Sequence, residues 1–330
     1  MVFQPANPRA MPATHQLLDK LYALWGQWTL SGQANRLSGL DRETSRVQEI
    51  TGELPAVWAA DFGWSADKDS DDYVGDRDGL LSEAERQHRA GSLVQLDWFP
   101  VNPVRSEPCG FGEALVEPIS DRDFSAMLTP GTTVHSRWLT QLAIIGVFLR
   151  YLKEMGIVVL FRPCPDMNGS RWWWCDRPGP AGYVGLWRSI FDNFVQLQHL
   201  DNLLWVWSVE AWPLSGSKAQ APGFYYPGHD MVDILAGDFL GDGLLSKADQ
   251  DFMHQGCWNG LQAIAAGRPL AIGQTKVIPD NAMLSRHRWL WCTANAFSQQ
   301  FRPQNEEVRT WYAGDYLLHQ ADWQLSRQNS

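Results

Sequence analysis

Residues 156–169 of the chain read Gly-Ile-Val-Val-Leu-Phe-Arg-Pro-Cys-Pro-Asp-Met-Asn-Gly. The five apolar residues Ile157–Phe161 stand between a glycine and a polar segment that contains Arg162 and Asp166. A near-continuous apolar run is typical of a parallel strand that is buried on both faces. The segment therefore predicts a buried strand that is followed directly by side chains able to carry chemistry.

Short apolar runs of this kind recur eight times, and most are followed by a polar loop and a helical pattern. They are Trp28–Ser31, Pro55–Ala60, Leu93–Trp98, Ile157–Phe161, Leu203–Ser208, Val232–Ala236, Pro269–Gly273 and Trp289–Thr293. Strands that alternate with helices indicate a parallel sheet of the α/β class, and eight repeats of the unit indicate a closed (β/α)8 TIM barrel. An open, doubly wound sheet is the alternative. Because no domain linker stands out, residues 1–330 are predicted to form a single barrel domain with long βα loops.

Two segments have the periodicity of amphipathic helices. The first carries apolar residues at helical spacing and is followed by Gly156, which is a suitable C-terminal cap. The second runs from about Tyr183 to Gln198. The apolar face of the first helix consists of Trp138, Leu142, Ile145, Leu149 and Leu152.

The composition indicates a globular protein with an uncharged or cationic partner. Hydrophobic residues make up 45% of the 330 residues and charged residues 19%, so a sizeable core can be buried. The formal net charge is −10, and without clustered Lys and Arg no nucleic-acid binding is expected. No stretch of eighteen apolar residues occurs, so no membrane span is expected either. No cofactor or metal is predicted.

The cysteines and the N-terminal sequence bear on the compartment. Five cysteines are scattered along the chain without zinc-like pairing, which predicts reduced structural thiols. The first residues show no basic segment followed by an apolar run. The chain as written is therefore expected to be cytoplasmic, and it would be secreted if a signal peptide had been removed.

The segment that follows the fourth run resembles a known family. Leu160–Gly169 followed by Trp172–Trp174 is similar to the pattern R-P-x-H-E-M-N-G with trailing tryptophans of glycoside hydrolase family 26, the β-mannanases. Further stretches agree in order and spacing. They are Ser31–Gln33, Asp61–Gly63, Trp98–Pro103, Tyr225–Gly228 with Val232–Ile234, and Pro269–Gly273. The resemblance covers most of the chain and implies a (β/α)8 barrel.

The resemblance also implies a retaining mechanism, which needs two carboxylates about 5–5.5 Å apart. The family's acid/base glutamate corresponds to Asp166, and its nucleophile corresponds to Gln274, whose neutral amide cannot perform the displacement. An engineered Glu→Gln trap would explain Gln274 but not the other departures from the pattern. Those are Pro165 and Phe99 in place of histidines, Leu240 in place of a tyrosine and Ala34 in place of a third histidine.

Asp166 and Gln274 are the candidate catalytic positions, and other residues near strand ends are candidates for ligand contact. Asp166 could alternatively be a structural carboxylate paired with Arg162, while Glu210, Asp238 and Asp61 could supply a substitute carboxylate or merely cap and pair. Aromatic walls bind sugar faces, polyenes and cations equally well. The candidate substrate-binding residues are Asp61, Trp98, Phe99, Asn102, Arg162, Asn168, Trp172, Trp173, Glu210, Trp212, Asp238, Leu240 and Trp291.

Three functions are compatible with these residues. The first is a repurposed, non-hydrolytic enzyme in which Asp166 is the general acid or base in the isomerisation, cyclisation or dehydration of a largely apolar small molecule. The second is an atypical β-mannan hydrolase that uses a substitute carboxylate such as Glu210 or Asp238, and the third is a non-catalytic glycan-binding barrel. The loss of polar groups on several strands together favours the first, and fold alone does not decide among them. The ligand is therefore expected to be a small molecule or a glycan.

Overall fold

The computed structural model describes residues 4–64, 73–106, 109–211, 221–240, 247–276, 278–295 and 305–328. Its strands all pair in parallel and form a closed barrel, because β1 pairs with both β2 and β8. This closure confirms the predicted TIM barrel and excludes the open, doubly wound sheet. The strands are β1 Thr29–Ala34, β2 Val57–Asp61, β3 Leu93–Trp98, β4 Val159–Pro163, β5 Leu203–Glu210, β6 Ile234–Phe239, β7 Leu270–Thr275, β8 Trp291–Ala294 and β9 Leu317–Leu318.

Helices follow most of the strands and surround the sheet. They are α1 Pro12–Leu24, α2 Arg42–Thr51, α3 Arg77–Ala90, α4 Asp121–Met127, α5 Thr133–Glu154, α6 Tyr183–Asp192, α7 Lys247–Ala265, α8 Asn281–Arg286, α9 Asn305–Tyr312 and α10 Gln320–Gln328. None of the helices in the described part of the chain combines the length and the apolarity that a membrane crossing requires. The five cysteines are free thiols, as predicted.

Both predicted helices are present. Helix α5 buries its predicted apolar face, and Gly156, two residues beyond its end, has a φ of +72°. A residue with a side chain is strained in this left-handed conformation, so glycine suits a helix end here. The second helix is α6, which continues into a π-helical turn over Asn193–Leu197 and so covers nearly the predicted range.

The interior of the barrel is apolar at its N-terminal end and polar at its C-terminal end. Leucines of α1 pack under the N-terminal end against strand residues such as Leu30, Leu160 and Leu204, and this burial closes the barrel from below. At the C-terminal end the inward-facing residues include Gln95, Asp97 and Arg162, which are all buried. Buried polar groups require partners, so this end of the barrel holds a hydrogen-bonded network.

One strand was not predicted from the sequence. Strand β9 has only two residues and pairs in parallel with Thr29 and Leu30 at the start of β1. Its apolar run is too short to show strand periodicity.

Candidate active site

The centre of the polar network is Arg162, at the C-terminal end of β4. Its guanidinium forks onto Asp97 of β3, with Nε donating to Oδ1 at 2.8 Å and Nη2 donating to Oδ2. Nη1 donates to Asp238 Oδ2 at 2.5 Å and to Ser208 Oγ at 3.0 Å. Burial alone would lower the pKa of Arg162, but the charges of Asp238 and Asp97 outweigh it and hold that pKa above its ordinary value. Arg162 is therefore a fixed cation between two carboxylates.

Gln274 of β7 belongs to the same network through both ends of its side-chain amide and through its backbone N–H. Its Nε2 donates to Asp97 Oδ2 at 2.7 Å, and its Oε1 accepts from Asn295 Nδ2. Its backbone N–H donates to Asp238 Oδ1 at 2.7 Å. A neutral amide that is bonded at both ends is neither a nucleophile nor a proton donor to a ligand, so Gln274 supports the network.

Asp166 lies in the loop after β4 in an unusual backbone conformation. Its φ is +61°, in the left-handed region that Asp and Asn enter more readily than most residues. The loop is anchored there because Asp166 N–H donates to the Ser208 carbonyl at 3.2 Å, while the Asp166 carbonyl accepts from Gly169 N–H at 3.0 Å. This turn directs the acid towards the carboxyl ends of β5 and β6.

The carboxyl group of Asp166 is 8% exposed, and its Oδ1 is buried with no hydrogen-bond partner among the described residues. Burial, the charge of Asp238 and a hydrogen bond with Asp238 raise the pKa of Asp166 well above its usual range, and Arg162 offsets this only in part. The described bonds of Arg162 go to Asp97, Ser208 and Asp238. Asp166 is thus a buried carboxyl group with a raised pKa, and the described hydrogen bonds of Arg162 do not include it.

Glu210, at the end of β5, supplies a further carboxyl group beside Asp166. Burial raises its pKa, as does Asp238, and Arg171 opposes the shift. Its backbone is held by Asn168, whose Nδ2 donates to the Glu210 carbonyl at 2.9 Å and whose Oδ1 accepts from Glu210 N–H at 2.8 Å. A Cβ at position 169 would collide with the Glu210 carboxylate, so Gly169 allows this close approach. The loop after β4 therefore packs closely against the end of β5.

Rings from three loops form an aromatic wall, which we define as Trp64, Phe99, Phe111, Trp172 and Trp174. Phe99 lies edge-on to Trp172 and to Trp64, with ring centroids 5.5 and 5.9 Å apart. Trp172 stacks on Trp174 at 5.7 Å, and the half-exposed Phe111 contacts Trp64 at 5.9 Å. These spacings are typical of favourable aromatic pairs. The wall presents a largely apolar surface beside the Asp166 loop.

The wall is joined to that loop by hydrogen bonds. Trp174 Nε1 donates to the carbonyl of Pro165, the residue before Asp166, at 2.8 Å. Cys175 Sγ donates to the carbonyl of Asp166 at 3.1 Å. The indole Nε1 of Trp172 is buried and has no partner among the described residues. The acid and the wall therefore form one unit.

Comparison with known proteins identifies the family. The model of glycosyl hydrolase family 26 matches residues 6–322. The chain belongs to glycosyl hydrolase family 26. The solved structure of GH26A from Muricauda sp. MAR_2010_75 is 30% identical, with a TM-score of 0.86 over 96% of this chain and 99% of that one.

Curated relatives in family 26 are mannan endo-1,4-beta-mannosidases. The one from Bacillus subtilis is 29% identical over 250 residues, which span 71% of this chain and 66% of that protein. The one from Thermothelomyces thermophilus is 26% identical over 327 residues, which span 94% of this chain and 61% of that protein. The matched regions thus cover just under two thirds of the length of these family 26 relatives.

Several predicted site residues lie together at the C-terminal end of the family 26 barrel. The two candidate catalytic residues lie beside the substitute carboxylates, and Phe99 and Trp172 belong to the aromatic wall. Asp61 is half-buried at the end of β2, with its Oδ1 accepting from Gly63 N–H at 2.8 Å, and Leu240 is half-buried directly after β6. The residues brought together by the network are Asp166, Gln274, Arg162, Asp238 and Glu210.

Two tryptophans predicted to contact the ligand pack in the core. Trp98 stacks on Trp138 of α5 with centroids 5.5 Å apart, because Asp97 before it points into the barrel and successive strand residues alternate. Trp291 starts β8 and is buried in the apolar core at the N-terminal end of the barrel. Both side chains are core residues in this structure.

Of three other residues predicted to contact the ligand, two form hydrogen bonds within loops and the third lies outside the described residues. Trp173 is buried, and its Nε1 donates to the carbonyl of Pro100 at 2.8 Å. Asn102 organises a loop, since its Nδ2 donates to the carbonyl of Glu117 at 2.9 Å. Trp212 lies outside the described residues. Trp173 and Asn102 therefore each hold a loop.

Two residues at the centre of the network, Asp97 and Gln95, were not among the predicted site residues. Gln95 Nε2 donates to Asp97 Oδ1 at 3.0 Å. Their signal was present in β3, where two polar residues at a spacing of two interrupt an apolar run and must point to the same face. Ser208 and Asn295 were not predicted either. Among the described residues no group of three or more His, Cys, Asp or Glu could hold a metal ion.

Proposed function

We propose that this protein is an acid catalyst in which Asp166 protonates the ligand and no covalent intermediate forms at position 274. One observation carries this proposal. The Asp166 carboxyl is buried, its pKa is raised well above the usual range, and its Oδ1 has no partner among the described residues, while the amide of Gln274 is bonded to Asp97 and Asn295. A positioned acid without a nucleophile performs proton transfer and not glycosyl displacement.

The aromatic wall supports a largely apolar small molecule as the ligand. Isomerisation, cyclisation and dehydration all begin when an acid gives a proton to a double bond or a hydroxyl group. The positive charge that develops on the ligand would be stabilised by the aromatic side chains of the wall. A proton lost from a neighbouring carbon of the ligand completes the balance, and in dehydration it is lost after the protonated hydroxyl group has left as water. Glu210, which contributes to the raised pKa of Asp166, would accept that proton.

The test uses the Asp166→Asn variant twice, first to let the substrate accumulate in cells and then as the control for the reaction rate. Cells that express Asp166→Asn accumulate the substrate, so their solvent extract is incubated in D2O with purified wild-type protein and analysed by mass spectrometry. We expect a product with one carbon-bound deuterium for isomerisation or cyclisation, or a loss of water for dehydration. Purified Asp166→Asn should form that product about 10²–10⁴-fold more slowly. Equal rates for the two proteins would contradict the proposal.

A second candidate is hydrolysis of β-mannan with Glu210 as the substitute carboxylate. It is favoured by the names of the family 26 relatives and by the position of Glu210 beside Asp166. An inverting route would use Asp166 as the acid and Glu210 as the base that activates water. Mannohexaose cleaved with inversion by the wild type, and not by Glu210→Gln, would establish this candidate and overturn the first.

A further inference from the structure

Asp97 is surrounded by hydrogen-bond donors. Both of its oxygens accept from Arg162, its Oδ1 also accepts from Gln95 Nε2 at 3.0 Å, and its Oδ2 also accepts from Gln274 Nε2 at 2.7 Å. An ionised carboxylate can only accept, so four donors are the arrangement that suits it. Asp97 is 1% exposed and Gln274 is 8% exposed, so water contributes little to either group.

We propose that Asp97 is a positioning residue that requires an uncharged hydrogen-bond donor at position 274. Its carboxylate orients the Gln274 amide and excludes a second carboxylate from the place where the family pattern has its nucleophile. The inference rests on the contacts of Asp97 and does not depend on which reaction the protein catalyses.

The reason is electrostatic. A carboxyl group introduced at position 274 would lie at hydrogen-bond distance from the anion of Asp97, and two carboxylates so close cannot both ionise. The cation that faces this pair is Arg162, which is already bonded to Asp97 and Asp238. The other acidic groups near this cluster are Asp166 and Glu210, which add no compensating charge. The introduced group would therefore be forced to keep its proton.

The chain allows a variant pair that exchanges the two groups. Asp97→Asn together with Gln274→Glu moves the carboxylate across a single hydrogen bond and keeps the number of charges around Arg162 unchanged. The single substitutions alter that number in opposite directions. Asp97→Asn leaves the guanidinium with one carboxylate, whereas Gln274→Glu gives it a third. A double-mutant cycle therefore measures the coupling between the two positions.

The experiment measures thermal unfolding of the wild type, the two single variants and the double variant at pH 7. We expect each single variant to melt at least about 5 °C below the wild type, and the double variant to recover at least half of the summed loss. Additive losses in the double variant would overturn the proposal. If the single variant Asp97→Asn does not fold, the double variant is compared with Gln274→Glu. A folded double variant supports the proposal. If Gln274→Glu folds and adding Asp97→Asn lowers its melting temperature further, the proposal is overturned.

Two further measurements distinguish the positioning role of Asp97 from a nonspecific loss of stability on substitution. The destabilisation of Gln274→Glu relative to the wild type should grow from pH 4 to pH 7, because a carboxyl group whose folded pKa is raised loses stability as pH rises. This dependence should disappear in the double variant. Gln33→Glu is the matched control, since Gln33 is a buried amide that donates to the carbonyls of Ala34 and Ala294. Asp97→Asn should not rescue it, and an equal rescue would overturn the proposal.

Discussion

Asn168 and Glu210 exchange two hydrogen bonds, so that a side-chain amide of the β4 loop completes the backbone pairing at the end of β5. The pair acts as a clamp between the loop that carries Asp166 and the strand that carries Glu210. The relative position of the two acids is thus set by a residue whose side chain bonds the backbone of Glu210 and not its carboxyl group. Loss of the clamp should therefore affect both stability and turnover.

The clamp can be tested with Asn168→Asp. This change replaces the amide donor by an oxygen that faces the Glu210 carbonyl, and we expect a loss of about 1–3 kcal/mol in the free energy of unfolding. Chemical denaturation measures it. Asn259→Asp on the exposed face of α7 is the matched control and should change stability by less than about 0.5 kcal/mol. Equal effects of the two substitutions would show that the clamp contributes nothing.

The buried acid Asp166 should make the protein less stable as pH rises. Its folded pKa lies above the value of an unfolded aspartate, so the folded state binds more protons between the two values. The stabilising proton is fully bound near pH 4 and is lost as pH rises through the raised pKa. Asp166→Asn removes this titration, so its thermal midpoint should exceed that of the wild type at pH 8 by more than at pH 4. A constant difference across this range would contradict the assignment.

The protein should not hydrolyse β-mannan at ordinary mannanase rates with retention of configuration. Position 274 lacks a carboxylate, and Gln274→Glu alone should not restore activity, because Asp97 opposes the charge while Phe99 and Leu240 provide no polar support. Release of reducing sugar from mannan measures this, with the Bacillus subtilis relative as a positive control. Full activity of Gln274→Glu would identify residue 274 as an isolated lesion.

A buried imidazole should make the protein sensitive to acid. His254 of α7 stacks on Phe239 with centroids 3.9 Å apart, and burial together with His287 lowers the pKa of His254 to about 3. An unfolded histidine titrates near 6.5, so stability is lost as pH falls from about 6.5 towards 3. His254→Phe should reduce this loss in thermal unfolding scans. His15→Gln in α1 is the control and should leave the loss unchanged.

Sequence patterns predicted the barrel well because buried parallel strands leave continuous apolar runs. All eight predicted runs overlap an observed strand, although β6 extends to Phe239, beyond the predicted end at Ala236. The extension adds Gly237 and Asp238, residues that resemble a loop in sequence. The pairing of Asp238 with Gln274 and Arg162 across three strands stabilises them as strand residues.

The site was predicted less completely, since residue type alone does not give the direction of a side chain. Trp98 was placed at the site because it ends β3, but Asp97 occupies the inward position. The pairing of Asp166 with Arg162, four residues apart, was plausible from spacing alone. The structure satisfies Arg162 with residues from β3, β5 and β6, which are distant in sequence. Such long-range pairing has no local signature.

The carboxylates on either side of Arg162 also bear on the charge of the ligands that the barrel can accept. Asp97 and Asp238 share the single guanidinium of Arg162 at a buried depth where salt screens poorly. We therefore expect this end of the barrel to disfavour phosphate esters and free carboxylates. We also expect it to favour a ligand that becomes positive during reaction, so that anionic molecules are rejected before any chemistry begins.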